Sequence, residues 1–370
     1  MVATLRRYIE QESPSGLPEA IAALVALIAD DFAALKPRIR KHKLPGTTNY
    51  GPALEIDFGG PRRASRLLLL GHTDTVYPLG TLRNMPWHAT ASRLCGPGVF
   101  DMKAGIVQAL FALRALLARG PLPCAVTLLL VPDEEIGSPV SRLLTERLAL
   151  RSRAVLVLEP AAAPDGACKT SRKGIARYTL RVHGVAAHAG LDFERGASAI
   201  VEAARQVVAI STLSRPDAGL TLNPGIISGG TRPNVVADLA EVVIDVRFRT
   251  ASQAARVDAA LHKLRPRDAR CKLEILGGVE RAPFERTSAT VRLYRLAAKA
   301  AEELGFRLPE AAVGGGSDGN LTAALGIPTL DGLGAVGDGA HSPDEFVMTR
   351  EMPRRAALLA ELITALAAEE

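Results

Sequence analysis

Hydrophobic and polar positions follow two textures along this chain. In the first, residues 67–70, 125–131 and 154–158 are apolar over almost their whole length. Strands apolar on both faces are central strands of a sheet covered on both sides by helices. Between the first two runs, residues 103–119 place Ile106, Leu110, Leu113 and Leu117 on one stripe, which predicts a helix. Nearer the start, residues 17–35 place Ile21, Leu24, Ile28 and Phe32 on a similar stripe after the helix-starting SPSG. The order strand, helix, strand predicts an α/β layered domain with a central, mostly parallel sheet.

The second texture begins at about Gly174. ARYTLRVHG reads as a strand, 196–213 as a helix and TLNPGIISGG as a strand. LAEVVIDVRFR, with Val243, Asp245, Arg247 and Arg249 alternating onto one face, reads as another strand; a helix over 251–263 and a strand, CKLEIL, follow. This βαββαβ order predicts an inserted α+β domain of ferredoxin-like type. The first texture resumes with a helix over 288–304 and a strand near Ile327 to Leu330. The expected division is therefore a catalytic domain formed by 1–173 and 284–370, interrupted by a smaller domain over 174–283.

Composition narrows the class without changing this picture. A chain of 370 residues with 48% hydrophobic and 23% charged residues can bury a large core and exceeds what one core usually organises. Its four cysteines, Cys95, Cys124, Cys168 and Cys271, form no CxxC pair, so neither a disulfide framework nor a thiolate zinc site is expected. The first residues, MVATLRRYIEQES, lack the uninterrupted apolar stretch of a signal peptide, and no run of about 18 apolar residues occurs. A cytoplasmic protein without a membrane partner is the expectation. The net charge of +6 comes from scattered arginines, and aromatics make up only 4% of the chain, so no nucleic-acid surface is expected.

The chemistry stands at the ends of the apolar strands. LLLLGHTD delivers His72 and Asp74, TLLLVPDEE delivers Asp133, Glu134 and Glu135, and VLVLEP delivers Glu159. Ligands of open α/β sheets bind beyond the carboxyl ends of the strands, where these side chains can converge. Asp101 lies in GVFDMKAG at the start of the following helix, and His341 follows the glycine-rich GLGAVGDGAHSPDE. Imidazoles and carboxylates without thiolates are the donor set of a catalytic site for Zn²⁺, Co²⁺ or Mn²⁺. Two divalent ions sharing Asp101 would be completed by His72 and Glu159 on one side and by Glu135 and His341 on the other. Two dications against three carboxylates leave one charge, which a hydroxide neutralises.

Each residue alone also fits a structural role: Asp74 as a turn residue, Asp101 as a helix cap, Glu134 and Glu135 as a solvated loop. Jointly those roles fail, because three buried strands would then end in acids or histidines for no structural reason. Asp74, two residues beyond His72, is placed to orient the imidazole by accepting its second N–H. Glu134, beside the ligand Glu135, is placed to act as general base without coordinating metal.

The motifs GHTDTV, GVFDMKAG, PDEEIGS, LEP, GVAAHAG and HSPDE, in this order, resemble those of the co-catalytic zinc metallopeptidase family that includes aminoacylase, acetylornithine deacetylase, succinyl-diaminopimelate desuccinylase and glutamate carboxypeptidase. The resemblance runs essentially end to end and implies the same metal roles for His72, Asp101, Glu135, Glu159 and His341, with Glu134 as base. It also implies a cis peptide after Asp101, a zinc-peptidase-like catalytic domain, and an inserted lid domain that dimerises and supplies His188 to polarise the scissile carbonyl. GGTRPNVVAD and IDVRF match family patterns that imply substrate contacts from Asn234 and, by a charge-assisted grip on a carboxylate, from Arg247. In GGGSDGN, Gly314, Gly315 and Gly316 leave room for backbone N–H groups to approach that carboxylate.

Glu159 and the GGGSD stretch lean toward the glutamate carboxypeptidase branch. The lysine that holds a glutamate side chain there is matched by Ala167, with Lys169 close by. The expected function is a homodimeric, two-zinc hydrolase of an amide or peptide bond next to a free carboxylate, acting on a dipeptide or other small molecule. The alternatives are an N-acyl amino acid amidohydrolase, an aminopeptidase, and a metal-binding scaffold without activity.

Overall fold

The computed structural model describes residues 1–44, 49–60 and 66–369. The chain divides into two compact units: one of Met1–Ser171, Arg286–Val313 and Ser317–Glu370, the other of Arg172–Glu285 with Gly314–Gly316.

The first unit is built on a six-stranded sheet. In spatial order its strands are Arg38–His42, Ala53–Phe58, Ala125–Val131, Arg66–His72, Ala154–Val157 and Thr329–Leu330. The last four run parallel, and the first two are antiparallel additions at one edge. The apolar runs behave as their texture requires. Leu67 and Leu69 enter one core with Val126, Leu128, Leu130 and Leu156, while Leu68 and Leu70 enter the opposite core with Leu129, Val131, Val155 and Val157. Helices cover both faces. Pro18–Ala33, Ala104–Arg119, Ser288–Glu303 and Glu351–Ala368 bury apolar residues in the first core, and Arg142–Ala149 buries Leu144 and Leu148 in the second.

The helix stripe predicted over 103–119 is slightly rotated. Ile106, Leu110 and Leu113 are fully buried, but Leu116 rather than Leu117 completes the buried face. Close approach sets the start of this helix, since a Cβ on Gly105 would stand 2.3 Å from the Leu158 carbonyl oxygen. Any larger residue there would push the helix off the strand end that leads to Glu159.

The second unit is a four-stranded antiparallel sheet in the order Thr221–Gly229, Leu239–Phe248, Gly174–His183, Lys272–Arg281. Numbered along the chain, these strands lie 2-3-1-4, the ferredoxin-like order the βαββαβ pattern implies. The period of two is clear in Leu239–Phe248, where Ala240, Val242, Ile244, Val246 and Phe248 are buried and Val243, Asp245 and Arg247 lie on the more open face. Helices Ala199–Ser211 and Ala251–His262 bury Ala203, Ile210, Val257 and Leu261 in the same core. This unit runs from Arg172 to Glu285, and the triglycine Gly314–Gly316 groups with it. Buried Arg172 accounts for the last point, because its Nη1 donates to the carbonyls of Gly315 and Gly316, each at 3.2 Å.

Candidate metal centre

The strands ending at Val131, His72 and Val157 are parallel neighbours, so the residues that follow them emerge side by side. His72 is 1% exposed, and its Nε2 lies 3.1 Å from Asp101 Oδ1 and 3.3 Å from Glu159 Oε1. His341 Nε2 lies 3.3 Å from Asp101 Oδ2 and 3.1 Å from Glu135 Oε2. Asp101 thus turns one carboxylate oxygen to each histidine. The five residues named from the sequence as ligands lie together in this unit, His72 and Glu159 on one side of Asp101 and Glu135 and His341 on the other.

The remaining contacts show what this cluster is built to hold. His72 Nδ1 lies 3.0 Å from the Asp74 carbonyl oxygen, which can only accept, so Nδ1 carries a proton and Nε2 presents a lone pair. That lone pair faces two carboxylate oxygens, an arrangement that repels unless a proton or a cation stands between them. Buried Glu135 Oε1 has no hydrogen-bond partner. Two imidazole nitrogens, three carboxylates and one orphaned buried oxygen fit a pair of hard or borderline divalent cations.

Protonation answers the same repulsion. The His341 pKa is pushed up to about 10 by hydrogen bonds with Asp101 and Glu135. For His72, burial favours the neutral ring, but hydrogen bonds with Asp101, Asp74 and Glu159 outweigh it and raise the pKa well above the usual value. Burial would likewise raise Asp101, yet the contacts with His341 and His72 hold its carboxyl well below the carboxylate range. Burial raises Glu135.

Asp74 makes contacts beyond His72. Its carboxylate stands 3.4 Å from His72 Nδ1, farther than its own carbonyl oxygen, and accepts from the backbone N–H of Glu134, the backbone N–H of Glu135 and the Ser15 hydroxyl. It therefore ties the histidine to the turn carrying both glutamates. A Glu134 carboxylate oxygen lies within 4.8 Å of ligand atoms of His72 and Glu159, close to the cluster in which the base was expected. Asp133 is fully buried and turned into its own loop, accepting the N–H groups of Val140 and Ser141 at 2.8 and 3.2 Å. It supports that loop rather than the cluster.

The Asp101–Met102 peptide is cis, as the resemblance implied. His341 sits at φ +62°, a left-handed conformation that places its side chain toward Asp101 and Glu135. Two residues of this region went unassigned from sequence. Glu345 and Tyr77 are joined by a 2.6 Å hydrogen bond, and the only trace of Glu345 is its place in HSPDE, four residues after His341.

The other named residues belong to the second unit. His188 is exposed, and its Nδ1 accepts the backbone N–H groups of Gly190 and Leu191 at 3.1 and 3.2 Å, so Nε2 carries the proton. Its segment pairs with that of Asn234, whose carbonyl accepts the N–H of Ala189 at 3.0 Å. Arg247 is held by Asp245, Nε and Nη2 donating to its two oxygens at 2.8 and 3.0 Å.

A parallel sheet beside which two histidines and two glutamates gather around a shared aspartate defines a metal-dependent hydrolase. Residues 68–365 match the family described as peptidase family M20/M25/M40, and the chain belongs to that family. It is 30% identical over 376 residues to carboxypeptidase G2 of a Pseudomonas species, covering 100% of this chain and 89% of that one. It is also 30% identical over 251 residues to acetylornithine deacetylase of Salmonella arizonae, covering 67% of this chain and 62% of that protein. Among solved structures, the aminopeptidase PepT of Bacillus cereus has the same fold, with a TM-score of 0.81 at 22% identity over 99% of this chain and 98% of the other. The metallo-carboxypeptidase Sso-CP2 of Sulfolobus solfataricus does so with a TM-score of 0.74 at 18% identity, covering 99% of each chain. Among the described residues, no helix is long and apolar enough to cross a membrane.

Proposed function

We propose that the protein is a two-zinc hydrolase that cleaves an amide or peptide bond adjacent to a free carboxylate, in the manner of a carboxypeptidase. The observation that carries this reading is the division of Asp101 between His72 and His341, with Glu159 and Glu135 completing the two sides. His72, Asp101 and Glu159 would hold one ion, and Asp101, Glu135 and His341 the other. Bound there, the ions would supply the Lewis acidity that brings the pKa of water from about 16 to about 7 and polarises a carbonyl.

The chain's own residues supply the rest. Glu134 takes a proton from water and passes it to the leaving amine. It is suited to this because its backbone is fixed by Asp74 while Glu135, its neighbour, is committed to His341. His188, with its proton on Nε2, donates to the carbonyl oxygen as negative charge develops. Asn234, Arg247 and the backbone of Gly314, Gly315 and Gly316 bind the substrate carboxylate. Asp245 orients Arg247 while leaving Nη1 for that purpose.

Similarity to carboxypeptidase G2 over the whole chain supports the carboxypeptidase reading. Similarity to acetylornithine deacetylase keeps an N-acyl amino acid amidohydrolase as the second reading, and both require a free carboxylate beside the scissile bond. Hydrolysis of dipeptides blocked at the amine, compared with dipeptides blocked at the carboxylate, tests this. Turnover of the first set alone is expected; turnover of the second set alone would replace the reading with an aminopeptidase.

A homodimer is part of the proposal. The strand Thr221–Gly229 is an edge of its sheet and exposes Ile226 and Ile227, and the helix Ala199–Ser211 exposes Val201 and Val208. An apolar edge strand invites pairing with another copy. Sedimentation of the purified protein at micromolar concentration decides between dimer and monomer. All four cysteines are free, which supports a reducing, cytoplasmic setting.

A further inference from the structure

Asp101 and His341 reach the centre from segments far apart in sequence, and one buried side chain connects their supports. Glu345 is fully buried, four residues after His341. Its Oε1 accepts the backbone N–H groups of Phe100 and Asp101 at 2.7 and 2.9 Å. Its Oε2 accepts the backbone N–H of Gly98 at 2.9 Å and stands 2.6 Å from the Tyr77 hydroxyl. That hydroxyl also lies 2.9 Å from the carbonyl oxygen of Ser342, the residue after His341. One carboxylate therefore gathers three N–H groups of the Gly98–Asp101 turn and, through Tyr77, the loop bearing His341.

Nothing in the packing of the core demands a charge here, and a buried carboxylate is costly unless its oxygens are fully used. Glu345 meets that condition through backbone donors that converge on it only when the turn is closed. Glycine at 98 is part of the device. It sits at φ +73°, and a Cβ there would come within 2.7 Å of Thr75 Cγ2. The turn thus closes around Glu345 and delivers Asp101 at the angle that divides its two oxygens between His72 and His341.

We propose that Glu345 is a positioning residue for the metal pair, fixing Asp101 directly and the His341 loop through Tyr77. This rests on the two-metal reading above. Partners that orient metal ligands typically carry a 10–100-fold share of metal affinity, and a loss of about that size is expected here.

The test is titration of metal-free protein with Co²⁺, followed by calorimetry and by the visible absorption of the bound ion, for the wild type, Glu345→Gln and Tyr77→Phe. The amide of Glu345→Gln must turn an NH₂ toward N–H donors, so the turn loosens. Co²⁺ affinity should fall about 10–100-fold with an altered absorption band. Tyr77→Phe keeps the carboxylate and removes one donor, so a loss of about three- to tenfold in the same direction is expected. A purely structural role would lower the unfolding midpoint without changing the absorption of bound Co²⁺. If both variants take up two ions with wild-type affinity and absorption, Glu345 does not position the pair. If Glu345→Gln does not fold, Tyr77→Phe decides by the same criterion. A wild type that binds no pair of ions overturns the two-metal reading itself, and this inference with it.

Discussion

The buried carboxylate of Asp74 accepts the backbone N–H of Glu135 at 3.2 Å, and through that bond a residue two positions beyond one metal-ligand candidate fixes the turn bearing another. The adjacent Glu134 N–H and the Ser15 hydroxyl use the same two oxygens. Asp74→Ala strips an acceptor from three donors at once. The expected outcome is a 10–100-fold loss of metal affinity, with unfolding free energy of the metal-free protein lowered by about 1–3 kcal/mol. Calorimetric metal titration and denaturant unfolding of the same preparation check the two effects separately.

Glu134→Gln keeps the size and the backbone anchoring of the side chain while removing its ability to take a proton. Two ions should still bind, and kcat should fall by a factor on the order of 10²–10⁴ with little change in KM. Steady-state kinetics on an amine-blocked dipeptide, with metal content measured on the same sample, provides the check. Near-original turnover would assign the base elsewhere.

Asp101→Asn replaces a carboxylate shared by two histidines with an amide that can offer only one acceptor oxygen. Metal uptake should drop from two ions per chain to one or none. The folded structure should persist, because the N–H of Asp101 still reaches Glu345. Elemental analysis after exhaustive dialysis reads the stoichiometry directly, and circular dichroism reads the fold.

Much of this arrangement was legible from sequence because its signals are long-range patterns of side chains. Uninterrupted apolar strands such as 125–131 can be satisfied only in the middle of a sheet, and acids or histidines at the ends of several neighbouring strands together point to a ligand site, although Asp133 among them serves its own loop. The ferredoxin-like order of the second unit was legible for the same reason, as alternation in Leu239–Phe248 separates a buried face from an open one. Glu345 was not legible, since three of its four partners are backbone N–H groups, which every residue possesses. Nor was the pairing of Arg247 with Asp245, which neighbour it two positions away on the same strand face; sequence showed both residues but not that one would engage the other. The triglycine's grouping with the second unit depends on buried Arg172, distant in sequence and unremarkable in its local context.

The second unit carries its own pH dependence. Glu202 is 1% exposed and accepts from Gln206 Nε2 at 2.7 Å and from the backbone N–H groups of Arg267 and Asp268 at 3.0 and 3.2 Å. Burial resists its ionisation, but these bonds and the charge of Arg205 outweigh that and lower its pKa. A carboxyl whose folded pKa lies below its unfolded value of about 4.3 stabilises fully above that value and loses the contribution as pH falls through the folded pKa. Glu202→Gln should therefore destabilise the protein at neutral pH by about 1–3 kcal/mol. Its deficit relative to wild type should shrink below about pH 4, as denaturant unfolding across a pH series would show.

The shared role of Asp101 is tested most directly by a crystal structure of zinc-loaded protein with anomalous scattering recorded at the metal edge. Two peaks flanking Asp101 are expected, one contacted by His72 and Glu159 and the other by Glu135 and His341. A single peak, or ions that leave Asp101 free, would contradict the account.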